Sequence, residues 1–148
     1  HTGFDGHCSS PRNISDETMA LITEAGGLIG VGFWADVTCG EGIAAIASAI
    51  QYGVERFGVD HIALGSDWDG SVTTPIDAAQ LPHLTQALLD GGLTPNEARA
   101  VMGGNMARFL AQHLPPGGLL SCPIAATPSV CDGESHRHTS AAPIGHGE

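Results

Sequence analysis

The chain has 148 residues, 42% of them hydrophobic, which is enough for one domain with a buried core. Its 16 carboxylates face only five basic side chains, all arginine, and the net charge of −11 disfavours nucleic-acid backbones and anionic membrane surfaces as partners. No window reaches the roughly 18 apolar residues of a membrane span. No basic segment followed by an apolar core opens the sequence as a secretory signal would.

Position 1 is histidine rather than methionine. It already belongs to a motif, so a fragment of a longer protein is expected. Residues 1–13 read as a loop, because Gly3, Gly6, Ser9, Ser10 and Pro11 form turns and show little periodicity. Ser15 then reads as a helix N-cap with Asp16 and Glu17 in the first turn, where the helix dipole favours anions. Met19, Ile22 and Ala25 follow at helical spacing, and Gly26-Gly27 ends the helix. Leu28 to Trp34 is an apolar run that fits a parallel strand buried on both faces.

From Gly42 to Phe57, the residues Ile43, Ile46, Ile50, Val54 and Phe57 form one helical stripe, with Gly58 as its C-terminal cap. His61 to Ser66 reads as a second buried strand. Helix, strand, helix, strand implies an α/β fold with a parallel sheet and right-handed crossovers. After a loop to Gln80, Pro82 suits a first helical position and Leu84, Ala87 and Leu88 form an apolar face before Gly91-Gly92. Thr94-Pro95-Asn96-Glu97 is a capping box, whose helix should end at Gly103-Gly104. Asn105 is expected to cap a last helix that runs to about His113 and is stopped by Pro115-Pro116. Residues 115–148 hold Pro, Gly, Ser, Thr and three histidines (His136, His138, His146) with few large apolar side chains, and read as a disordered, solvated tail.

Three residues stand out for chemistry. Asp67 follows the second strand in Gly65-Ser66-Asp67-Trp68-Asp69-Gly70, and a carboxylate at the C-terminal tip of a strand is how β/α barrels present catalytic groups. There it could bind a metal or move a proton between water and a leaving amine. His1 is a candidate metal ligand through a neutral imidazole. Arg12, in the following loop, has the planar guanidinium suited to gripping a carboxylate through two hydrogen bonds. Asp5 and His7 rank below His1, since a glycine-rich loop does not fix their geometry. Asp69 is expected to cap the turn closed by Gly70. His61 is expected to be structural, while Trp34 and Asp36 would line a pocket on the active face. Cys8, Cys39, Cys122 and Cys131 show neither a CxxC pair nor zinc-finger spacing. Cys8 and Cys39 are expected to be reduced and not ligands, whereas Cys122 and Cys131 could bridge in an oxidising compartment. No nucleophile elbow, phosphate loop or dinucleotide fingerprint is present.

Taken together, His1-Thr2-Gly3, Pro11-Arg12-Asn13-Ile14-Ser15-Asp16-Glu17, Gly27-Leu28-Ile29-Gly30-Val31-Gly32-Phe33, Gly65-Ser66-Asp67-Trp68-Asp69-Gly70 and Gly104-Asn105-Met106-Ala107-Arg108-Phe109 resemble the membrane dipeptidase family of zinc peptidases. The resemblance covers about residues 1–113. It implies that residues 1–114 are the C-terminal part of a (β/α)8 barrel, incomplete because 148 residues fall short of the roughly 250 such a barrel needs. It also implies zinc-dependent hydrolysis of dipeptides with a free C-terminal carboxylate, and two Zn2+ in a complete site with homodimerisation of the complete protein. His1 would be a ligand of one zinc, Arg12 the group holding the substrate carboxylate, and Asp67 the catalytic proton carrier beside the substrate. The family's His-x-Asp pair, its bridging glutamate and its other zinc-binding histidine are absent, so this chain offers at most one partial site and is expected to be inactive and poorly stable alone. A non-catalytic binding module, or a different metal-dependent amidohydrolase, remains the alternative.

Overall fold

The computed structural model describes residues 1–115. Its first helix, α1 (Asp16–Glu24), begins where Ser15 turns extended and its hydroxyl accepts the backbone N–H of Thr18. Only Met19 of α1 is fully buried; Ile22 packs at the edge of the core and Ala25 is exposed. Gly26, at φ 78°, lets the chain leave the helix toward β1 (Ile29–Val31). β1 pairs in parallel with β2 (Ile62–Leu64), Ile29 lying opposite Ile62 and Val31 opposite Leu64. Both strands are three residues long, shorter than the apolar runs around them predict.

Beyond Val31, the N–H of Gly32 donates to Thr2 rather than to β2, and the N–H of Thr2 donates to Gly30. Residues 1–4, expected to be loop, therefore run beside β1 as a third parallel segment, with Thr2 bridging Val31 and Phe4 bridging Ile14. Phe4 is fully buried against Tyr52 and Phe57, a contribution of about 1.5–3 kcal/mol from side-chain burial. Glycine and serine content signalled turns here, but tertiary pairing overrode it.

After β1 the chain does not stay extended to Asp36. It forms a short helix, α2 (Ala35–Thr38), which leaves Asp36 exposed in the first turn and buries Val37 and Thr38. α3 (Gly42–Phe57) is the expected amphipathic helix; Ile46, Ala49 and Ile50 are buried on the sheet, and Gly58 at φ 91° ends it. A 3-10 turn, Val59–His61, leads into β2, and His61 Nδ1 lies 2.9 Å from the Gly27 carbonyl, consistent with a structural histidine. α4 (Leu81–Asp90) packs Leu84 and Leu88 against α3. α5 (Pro95–Arg99) opens on the predicted capping box, Thr94 Oγ1 accepting from Glu97 N–H and the Glu97 carboxylate accepting from Thr94 N–H.

A wide, π-type turn, Ala100–Gly104, separates α5 from α6 (Asn105–His113). Asn105 does not act as the predicted cap. Its backbone is already helical, and its buried side chain donates to the carbonyls of Val59 (2.7 Å) and Ile62 (2.8 Å) while accepting from Arg108 (3.0 Å). α6 is thereby tied to the entry of β2. The described residues form two strands and one bridged segment with helices over them, not a closed barrel. Among them, no helix is long and apolar enough to cross a membrane. Cys122, Cys131 and the three tail histidines lie outside the described residues.

Candidate active site

The C-terminal ends of the parallel segments gather the candidate residues. Gly65 N–H still donates to Val31 at 2.9 Å, and the chain then turns sharply, with Asp67 in the left-handed region at φ 60° and Gly70 N–H closing the turn on the Asp67 carbonyl at 3.0 Å. The turn is thus closed by the backbone of Asp67, not by a cap from Asp69, which is exposed. Non-glycine residues occupy this backbone region at a cost, one that proteins tend to bear at functional positions. The Asp67 side chain is 12% exposed and its Oδ1 stands 3.2 Å from His1 Nε2.

His1 reaches Asp67 because nothing stands in its path. Thr2 fixes the backbone beside β1, and a side chain at Gly65 would lie 2.8 Å from both His1 Cβ and the Gly30 backbone. The bare strand tip is what allows the imidazole to approach. Trp34, 4% exposed, then links the remaining pieces. The His1 ring meets it edge-on at 5.9 Å between centroids, and the Arg12 guanidinium carbon lies 5.7 Å from its ring centre. Cations favour the face of an indole. Arg12 forms no ion pair among the described residues, so its fork of N–H donors remains free for an anion.

Two features hold the Arg12 loop. Asn13 donates to the carbonyls of Cys8 (2.7 Å) and Val37 (3.1 Å), leaving its buried Oδ1 without a partner. Cys8 and Cys39 form a disulfide with Cα atoms 5.4 Å apart, which corrects the expectation that both are reduced. Their separation of 31 positions hid the pairing, since only the folding of the first segment against α2 brings them together. Nearby, Asp16 accepts from Gly6 N–H, Tyr52 Oη and Arg56 Nε, joining this loop to α3. That bond to Asp16, then burial, then the Asp16 charge hold the Tyr52 phenol above its usual pKa. His7 packs on Tyr52 at 5.5 Å.

Among the described residues, no three His, Cys, Asp or Glu side chains surround a point that a metal could occupy. His1 and Asp67 supply two donors, and a catalytic zinc takes three protein ligands. These residues alone do not fit a complete zinc site. Two clefts among the described residues lie off the pair. One of about 200 Å³ sits at the opposite end of the strands, lined by Gly27, His61, Asn105 and Arg108 among others. Another lies behind Trp68, with Thr74, Ile76 and Gln80.

A carboxylate at a strand end, an imidazole 3.2 Å from it and a guanidinium packed on the same indole as that imidazole thus gather at this end of the strands. Residues 1–114 match the family described as membrane dipeptidase (peptidase family M19), and the chain belongs to that family. It is 32% identical over 118 residues to dipeptidase aclJ of Aspergillus oryzae, covering 74% of this chain and 28% of that protein. It is 30% identical over 120 residues to dipeptidase ataJ of Aspergillus terreus, covering 76% of this chain and 29% of that one. Among solved structures it is similar to a metallo peptidase from Rhodobacter sphaeroides liganded with a phosphinate mimic of the dipeptide L-Ala-D-Ala (TM-score 0.68, 26% identity, 77% of this chain, 35% of that chain). A similar likeness holds to the metallo peptidase dipeptidase AC (TM-score 0.66, 28% identity, 74% and 35%). The chain therefore spans under a third of the length of these two curated relatives. The family is one of metallopeptidases, which implies a metal.

Asn13, Gly65, Gly70 and the Cys8–Cys39 bridge escaped the sequence reading as site features. Their contribution is steric or depends on distant chain segments, and composition carries no sign of either.

Proposed function

We propose that this chain supplies part of the active site of a zinc-dependent dipeptidase, as the C-terminal portion of a (β/α)8 barrel. The observation that carries the reading is the approach of His1 Nε2 to Asp67 Oδ1 at the strand ends, with Arg12 beside Trp34 and in no ion pair among the described residues. Arg12 grips the C-terminal carboxylate of the dipeptide, with Trp34 bracing its guanidinium. Asp67 takes the proton released as water adds to the peptide carbonyl and returns it to the departing amine. His1 would be one donor to a metal held mainly by residues beyond this chain, and that metal would supply electrophilic activation.

Because His1 and Asp67 are too few to hold zinc, no step is assigned to the metal here, and the 148-residue chain alone is proposed to be inactive. The same shortage of donors favours a second reading, a non-catalytic module that keeps the arginine pocket. The test compares the 148-residue chain with the full-length product of its gene, each supplied with zinc, on a dipeptide and on its C-terminal amide. The dipeptidase reading expects turnover of the free acid only by the full-length product, lost in Asp67→Asn and with raised KM in Arg12→Gln. Zinc-free, inactive full-length protein that still binds the acid would establish the module instead.

A further inference from the structure

We infer that Gly70 is a positioning residue for Asp67: a glycine there, and nothing larger, leaves the Asp67 carboxylate room to lie toward His1. The inference rests on the proposed proton-carrying role of Asp67 for its functional meaning, but its geometry stands apart from that role. A Cβ at position 70 would lie 2.5 Å from Asp67 Oδ1, 2.8 Å from Cγ and 3.0 Å from Oδ2. The first two distances are shorter than real Cβ contacts show and the third is tighter than most, and all three involve the same side chain. Gly70 lies outside the left-handed φ range that Gly26, Gly42, Gly58 and Gly92 occupy. Its backbone would accept alanine, so conformational freedom is not what the glycine supplies.

The turn explains why the carboxylate lies there. Asp67 adopts φ 60°, and Gly70 N–H folds back 3.0 Å onto its carbonyl. The left-handed residue and the closing glycine thus face each other across one turn. The Asp67 side chain, 12% exposed, fills the space a residue-70 side chain would take and meets His1 Nε2 from there. A methyl group at position 70 would push out the end of a short, rotatable side chain. The fold survives that push; the contact to His1 does not.

The experiment uses the 148-residue chain and the variants G70A, D67A and D67A/G70A. The His1 ring proton resonances, identified by their loss in His1→Gln, are recorded at about pH 8.5, above the usual imidazole pKa of about 6.5. The expected result is that G70A moves the His1 ring to the position seen in D67A, and that the double variant adds nothing. If G70A leaves the ring at its parent position, the inference is overturned. Should G70A fail to fold, the double variant decides: a folded double variant shows that the clash is with the Asp67 side chain, and an unfolded one shows a backbone requirement and overturns the inference. In an active full-length protein, G70A should lower kcat by about 10²-fold or more, as loss of a proton carrier does, with KM little changed. D67A with undiminished turnover but the expected ring shifts would remove the proton-carrying role and leave the positioning intact. Lost turnover in D67A with normal turnover in G70A would remove the positioning alone.

Discussion

Removing the Cys8–Cys39 bridge should cost this chain much of its stability. The cross-link spans 31 positions, and the loop-closure entropy it removes from the unfolded ensemble is worth about 3.7 kcal/mol at 25 °C. The unit it staples runs from His1 to His113. At about 2.1 cal/mol/K per residue, that unit unfolds with an entropy of roughly 0.24 kcal/mol/K, so Cys8→Ser/Cys39→Ser should lower Tm by about 15 °C. Thermal unfolding followed by circular dichroism measures this, and reduced parent protein should match the double variant. Proteolysis supplies a local readout. Trypsin has only arginines to cut, because the chain has no lysine, and Arg12 lies in the loop held by the bridge and Asn13. Cleavage after Arg12 should accelerate on reduction before the rest of the chain opens. A fall in Tm under about 5 °C, little over 1 kcal/mol, would show that the bridge does not constrain the unfolded chain and would refute the reasoning.

Two further outcomes follow from the hydrogen-bond pattern. The raised Tyr52 pKa means that the stability its proton confers is complete below the ordinary tyrosine value of 10.0 and is lost as pH rises through the folded-state value. Tm should therefore drop above about pH 10, and Tyr52→Phe should remove that drop while losing the bond to Asp16 at every lower pH. Asn105→Ala should cost about 2–4 kcal/mol in chemical denaturation, since two carbonyls lose their donor. Asn105→Asp should cost more, because a carboxylate would face the Val59 and Ile62 carbonyls; equal losses would mean that the amide is not what these carbonyls require.

Local rules carried much of the fold into the sequence. The Ser15 cap, the Thr94–Glu97 capping box and the stripe on α3 depend on residues within a few positions of one another, and each formed as periodicity and capping chemistry predict. What the sequence hid depends on contacts between distant segments. Thr2 and Phe4 sit among turn-forming residues yet pair with Val31 and Ile14. Trp34 ends an apolar run, but the next residues coil into α2 because Thr38 Oγ1 and the Cys39 N–H find carbonyl partners there, at Trp34 and Ala35. Asn105 has the composition of a cap and the environment of a buried tie.

The candidate site divides along the same line. His1, Arg12 and Asp67 could be singled out because their side chains carry ionisable groups suited to the proposed chemistry, and such groups are visible in a residue name. Their approach to one another is governed by residues whose importance lies in what they lack or whom they meet. Gly65 leaves the strand tip open to the imidazole, Gly70 leaves room for the carboxylate, and Asn13 with the disulfide fixes the arginine loop against α2. A relative that kept the three reactive residues but carried alanine at position 65 would have His1 Cβ and the Gly30 backbone only 2.8 Å from the new methyl group, with backbone unable to yield. Such a chain would retain the three proposed site residues and lose the geometry that joins them. For the proposed site, the glycines matter to the geometry as much as the ionisable side chains they surround.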